Sequence, residues 1–130
     1  MKDQINFYEN KLRYEIDPAD LHAALNNNEA IVVVDARKPE GYEKEHIPGA
    51  VNLPHAQMNA ETTNGWDRSK LYVTYCDGIG CNASTRGALN LTKLGFKVKE
   101  LIGGIEWWKL DGYAVSGQTD EEGNLIGCNC

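Results

Sequence analysis

Cys76 closes the apolar run Leu71-Tyr72-Val73-Thr74-Tyr75 and opens the loop Asp77-Gly78-Ile79-Gly80-Cys81-Asn82, after which a helical pattern begins at Ala83-Ser84. A thiol therefore stands at the end of a strand, ahead of a glycine-bearing turn and a helix start. Successive backbone N–H groups in such a turn can converge into an anion-binding concavity. The helix N-terminus adds roughly half a positive charge. Both features favour a thiolate over a thiol, and both would hold a persulfide, R–S–S⁻, whose outer sulfur is negative. A cysteine at the end of a buried strand, taken alone, is more often a small core residue. Here the loop context points to chemistry, with Cys76 as nucleophile.

Cys81 leaves alternatives open. It could resolve a persulfide or sulfenate on Cys76 by forming a disulfide, which would make the loop a redox switch. It could itself be the nucleophile, being nearer the helix start, or it could simply fill the loop. Cys128 and Cys130 complete the cysteine set. With Cys76 and Cys81 they offer four thiols, enough for a tetrahedral zinc site if the tail reached the loop. That arrangement would take the nucleophile out of service, and the simplest reading of the tail is two exposed thiols. No metal or cofactor is expected. His22 and His55 show no nucleophile–base pattern in sequence.

The elements that must position this loop follow from periodicity. Ile5, Tyr8 and Leu12 recur at helical spacing, which predicts a helix over 2–13. A second helix starts at Asp17-Pro18, with Asp17 as N-cap and Pro18 in the first position. Ile31-Val32-Val33-Val34 is a continuous β-branched run, the pattern of a strand covered on both faces. It ends at Asp35. One or two helical turns are expected at 39–45, a turn at 46–50, and a short strand at 51–53. Residues 61–70 read as loop. After the strand at 71–75, Ala88, Leu91 and Leu94 mark a helix over 83–94 that Gly95 ends. A strand at 96–101, a Gly103-Gly104 turn and a helix at 105–110 complete the pattern. Alternating strands and helices argue for an α/β domain with a mostly parallel sheet. In such sheets ligands bind at the carboxyl ends of strands, where Asp35 and Cys76 both stand.

The whole sequence of 130 residues fits one domain. It is expected to divide into an N-terminal helix at 1–14 packed on the domain, a domain at 15–116, and an acidic tail at 117–130. Thirteen basic residues against nineteen acidic ones leave a net charge of −6. That balance, with no basic stripe, disfavours nucleic acid as a partner. No apolar run approaches the ~20 residues of a membrane span, and the opening stretch is too polar for a secretory signal. The cytoplasm is the expected compartment, where four cysteines suit reactive thiols or metal better than disulfides.

Three separated motifs carry a family resemblance. Asp35-Ala36-Arg37, Gly41-Tyr42 and His46-Ile47-Pro48-Gly49-Ala50-Val51-Asn52-Leu53-Pro54 resemble the first signature of rhodanese-like domains. Leu101-Ile102-Gly103-Gly104-Ile105-Glu106-Trp107-Trp108-Lys109, followed by Gly112-Tyr113-Ala114-Val115, resembles their closing segment. The cysteine loop lies between, where the family carries its nucleophile. The resemblance spans about residues 16–115. It implies a single domain with a central, mostly parallel five-stranded sheet and helices on both faces. It also implies sulfurtransferase chemistry through a persulfide on Cys76, with thiosulfate or a persulfide as donor and a thiol, a protein or another nucleophile as acceptor. The backbone from Asp77 through Gly78, Ile79, Gly80 and Cys81 to Asn82 would cradle the sulfur. Asp35 and Arg37 would lie beside the site, as substrate contacts or, more simply, as an internal ion pair that fixes loops.

The loop departs from the family pattern. It is about two residues longer than the common form, carries no basic residue, and contains the acidic Asp77, all of which disfavours an anionic donor such as thiosulfate. Related phosphatase and arsenate-reducing branches need an arginine six positions after the cysteine. The sixth residue after Cys76 is Asn82 and the sixth after Cys81 is Gly87, which argues against that chemistry. The departures also leave room for a non-catalytic, regulatory module that binds a partner protein. Of the adjacent Trp107 and Trp108, one is expected in the core and the other partly exposed. Trp66 would either rim the site or cover the sheet.

Overall fold

The structure is a computed structural model and describes residues 1–118. Five strands form one sheet in the order β1-β5-β4-β2-β3, with every pairing parallel. The strands are β1 (Glu15–Ile16), β2 (Ile31–Asp35), β3 (Val51–Asn52), β4 (Leu71–Tyr75) and β5 (Lys97–Leu101). The helices are α1 (Lys2–Tyr14), α2 (Pro18–Asn26), α3 (Pro39–Lys44), α4 (Ala83–Lys93) and α5 (Gly104–Leu110), with a 3-10 turn at His55–Gln57. β1 and the 3-10 turn are the elements that periodicity did not foresee. Two residues are too few to show a period, and β1 exists because Glu15 and Ile16 pair with Glu100 and Leu101.

Parallel strands must be covered on both faces, and side-chain alternation divides the core accordingly. Val33, Val73, Tyr75 and Leu101 face a layer containing Leu21 of α2 and Ile105 and Trp108 of α5. Val34 and Tyr72 face the opposite layer with Leu91 of α4, Leu53 and Phe96. Trp66 stacks on Tyr72 at 5.2 Å between ring centroids, so it covers the sheet on the α4 side. Trp108 is buried, its indole N–H donating to the Ala114 carbonyl at 2.9 Å, while Trp107 is partly exposed.

Local signals fix the helix ends. The Asp17 carboxylate accepts the Asp20 N–H at 2.8 Å, ahead of Pro18, a cap worth about 1 kcal/mol. At the end of α4 the Phe96 N–H reaches the Leu91 carbonyl and the Gly95 N–H reaches Thr92. This Schellman pattern needs the left-handed Gly95, φ +93°. Phe96 then packs on Leu91, which ties the end of α4 to the core.

Candidate active site

Cys76 follows β4, the central strand, and is buried. It is a free thiol. The α4 helix begins seven residues later at Ala83, and its N-cap Asn82 supplies no side-chain cap, so the first turn directs its backbone dipoles toward the loop. Ala36, Cys76 and Ala83 pack together beneath the sulfur.

The far wall of the site comes from the turn between β5 and α5. Ile105 N–H donates to the Cys76 carbonyl at 3.0 Å and Glu106 N–H to the Asp77 carbonyl at 2.9 Å. Those bonds require the α5 backbone to lie against the cysteine loop. Gly104, at φ +62°, makes this possible, because a Cβ there would run into the Cys76 carbonyl oxygen. Between loop and turn lies a cavity of about 180 Å³, with Cys76, Gly78, Ser84 and Gly104 among its lining residues.

The Cys76 sulfhydryl faces oxygen acceptors: the Cys81 carbonyl at 3.3 Å, Ser84 Oγ at 3.6 Å and, farther off, the Gly78 carbonyl at 4.0 Å. The Cys81 N–H is turned to the Gly78 carbonyl at 3.2 Å. The expected ring of amides therefore differs from the loop observed, in which the Cys81 and Gly78 carbonyl oxygens face the sulfur. Ser84 Oγ in turn donates to Glu100 Oε2 at 2.7 Å, and Thr85 Oγ1 donates to the same oxygen at 2.6 Å.

Of the loop residues expected to hold substrate, Gly78, Ile79, Gly80 and Cys81 line the cavity. Asp77 points the other way, accepting from Arg37 Nη1 at 2.9 Å. Asn82 accepts from Arg86 Nε at 3.2 Å instead. Asp35 and Arg37 are buried as an internal pair and are not among the cavity's lining residues. Arg37 reaches Asp35 through Nη2 at 2.7 Å and Nε at 3.0 Å, and the Glu45 carbonyl through Nη2 at 2.7 Å. Burial acts to lower the pKa of the Arg37 guanidinium, but the hydrogen bonds and charge of Asp35, with a further bond to Asp77, outweigh it and hold the pKa raised. Tyr75 completes the network, donating to Asp35 at 2.8 Å and accepting the Ile47 N–H at 3.1 Å. Burial, reinforced by the Asp35 charge, pushes the Tyr75 hydroxyl above its ordinary range. Through Asp77 the network ties the cysteine loop to the buried Asp35–Arg37 pair. His46 has a similar supporting part, its Nδ1 lying 2.8 Å from the Tyr42 carbonyl.

Glu15 and Glu100 also line the cavity, and reading by motif passed over both. Glu100 had a usable signal: it stands at the carboxyl end of β5, in register with Thr74 just before the cysteine. Cys128 and Cys130 lie outside the described residues, and with them the four-thiol zinc arrangement.

A cysteine-bearing loop at the end of the central parallel strand, closed by a glycine-glycine turn, agrees with the sequence match to the Rhodanese-like domain over residues 17–111. The chain belongs to the rhodanese-like domain family. Within the family it is 41% identical over 81 residues to the thiosulfate sulfurtransferase GlpE of Coxiella burnetii (strain RSA 493 / Nine Mile phase I), covering 61% of this chain and 72% of that protein. It is 32% identical over 90 residues to the tRNA sulfurtransferase of Thermoplasma acidophilum, covering 63% of this chain and 17% of that one. Among solved structures, the BH2092 protein of Bacillus halodurans superimposes with a TM-score of 0.89 at 39% identity, covering 97% of this chain and 93% of that chain. Among the described residues of this rhodanese-like chain, no helix is long and apolar enough to cross a membrane.

Proposed function

We propose that the protein is a sulfurtransferase that carries sulfane sulfur as a persulfide on Cys76. The observation that carries this reading is the free Cys76 thiol at the end of the central strand, lining a cavity between its own loop and the β5–α5 turn. Relatives named as sulfurtransferases support the same class of reaction. The Cys76 thiolate attacks the outer sulfur of a donor, forming one S–S bond as another breaks. The electron pair leaves with sulfite when the donor is thiosulfate, or with a thiolate when it is a persulfide. A thiol or other nucleophile then attacks the outer sulfur of the Cys76 persulfide, and the cysteine departs as thiolate. A reducing compartment such as the cytoplasm would keep Cys76 available between turnovers.

The carbonyl oxygens that face the sulfur, in place of a ring of amides, favour a second reading, a regulatory rhodanese-like module that binds a partner protein. Intact mass after brief exposure to thiosulfate or an organic persulfide separates the two. Gain of one sulfur atom, reversed by dithiothreitol and abolished in Cys76→Ser, is the expected result. A folded protein that gains no sulfur from either donor refutes the transferase reading in favour of the module. Gain that survives Cys76→Ser but not Cys81→Ser moves the nucleophile to Cys81.

A further inference from the structure

Among the described residues, the cavity that reaches Cys76 is lined by two carboxylates, Glu15 and Glu100, and by no lysine or arginine. Glu100 is the closer in connectivity, one hydroxyl removed from the sulfur through Ser84. Its bonds come from Ser84 and Thr85, both neutral, which leaves its negative charge in place. Glu15 is bonded to Lys11 at 2.6 Å, so its charge is partly offset at the rim. The Glu15 hydrogen bond and charge, and more weakly the Glu100 charge, raise the Lys11 pKa and keep it cationic there. Arg37 is spent on Asp35 and Asp77, and Arg86 is bonded to Asn82. The exposed side chains of Ile79 and Ile102, also among the lining residues, add apolar surface.

We propose that Glu100, assisted by Glu15, makes the Cys76 cavity discriminate against anionic sulfur donors, so that its donor is a persulfide on an uncharged or cationic carrier. The identity of that donor rests on the sulfur-transfer reading above; the charge selection does not. A dianion such as thiosulfate meets Glu100 in a partly desolvated cavity, where a unit charge within about 6 Å shifts an equilibrium or rate by about tenfold. A carrier with a cationic group near its sulfur gains what the dianion loses. Its uncharged or aliphatic parts can lie against Ile79 and Ile102.

The test uses two methanethiosulfonates of equal length, one ending in trimethylammonium and the other in sulfonate. The Cys76 thiolate attacks the sulfenyl sulfur of either reagent, forms a mixed disulfide and expels methanesulfinate. Dividing the cation-to-anion rate ratio at Cys76 by the same ratio for mercaptoethanol removes intrinsic reactivity, and peptide mass mapping assigns the label to Cys76. Because the ratio cancels any change in thiol ionisation, it reports the field of the cavity alone. The normalised ratio is expected to exceed about ten in the wild type and to fall about tenfold in Glu100→Gln, with a smaller fall in Glu15→Gln. Thr85→Ala, which removes a hydroxyl bonded to Glu100 but leaves its charge, is expected to keep most of the preference. A normalised ratio near one in the wild type, a ratio unmoved by Glu100→Gln, or no labelling of folded protein by either reagent overturns the proposal. Charge discrimination without persulfide formation from any donor would sink the transferase reading alone. Ready persulfide formation from thiosulfate with a ratio near one would sink the charge selection alone.

Discussion

Replacing Arg37 by methionine tests how the loop that follows Cys76 is held. The wild-type guanidinium is 3% exposed and its partner Asp35 is fully buried. Methionine keeps much of the volume but removes the donors to Asp35, to Asp77 and to the Glu45 carbonyl. Asp35 would retain the Tyr75 hydroxyl and the backbone N–H of residue 37, two donors for a buried charge that now has no counter-charge. Breaking a buried pair from one side costs about 3–5 kcal/mol. In a domain of this size that amounts to a fall of about 10–20 °C in melting temperature. Circular dichroism and tryptophan fluorescence, followed through urea and heat, measure the loss. Neutralising the stranded acid in Asp35→Asn/Arg37→Met should recover part of it, because the amide oxygen can still accept from Tyr75 without a buried charge. A loss below about 1 kcal/mol, the size expected of an exposed pair, would refute the reasoning. So would a double variant no more stable than the single one.

Two further outcomes concern the same scaffold. Because the Tyr75 pKa is raised in the fold, the stability it confers is fully present below the unfolded value of about 10 and is lost as pH rises beyond it. Tyr75→Phe should be about 1–3 kcal/mol less stable at neutral pH and should show a shallower loss above about pH 10 in urea titrations; equal slopes would contradict this. Gly104→Ala should cost more than about 2 kcal/mol, combining left-handed strain with lost bonds to the cysteine loop. Gly49→Ala shares a positive φ but has open space around its added Cβ, so it should cost only about 1 kcal/mol of strain. Equal costs for the two, measured by chemical denaturation, would show that the contact at Gly104 is unimportant.

Much of this architecture could be read from the chain, and the reasons are local. The unbroken β-branched run at 31–34, the Asp17-Pro18 start and the Gly95 stop each express a short-range rule, and each element stands within a residue or two of its expected place. The place of Cys76, at the end of a strand and ahead of a turn and a helix, was legible because these follow one another directly. Glu100 was not, because its meaning depends on lying beside β4 in the sheet and on Ser84 being presented by α4. Asp35 and Arg37 were legible as a pair. Their burial beneath the loop, away from the cavity, is set by Tyr75 and Asp77, whose contacts lie 40 residues away in sequence. The direction of the loop's carbonyl groups was equally out of reach, since composition and spacing do not encode peptide orientation.

The two edges of the sheet, β1 and β3, are each two residues long. Between them lies Ile31-Val32-Val33-Val34, a segment whose composition is that of self-stacking peptides, paired along its whole length by β4 but by β3 only at Val34. Short edges give another chain few unpaired backbone groups on which to dock. The folded molecule thus protects this stretch on one side by its full pairing with β4, and on the other by β3 at the carboxyl end alone. Partial opening that parts β2 from β4 would uncover the whole run at once, so stress at that seam carries a self-association hazard absent from the intact fold.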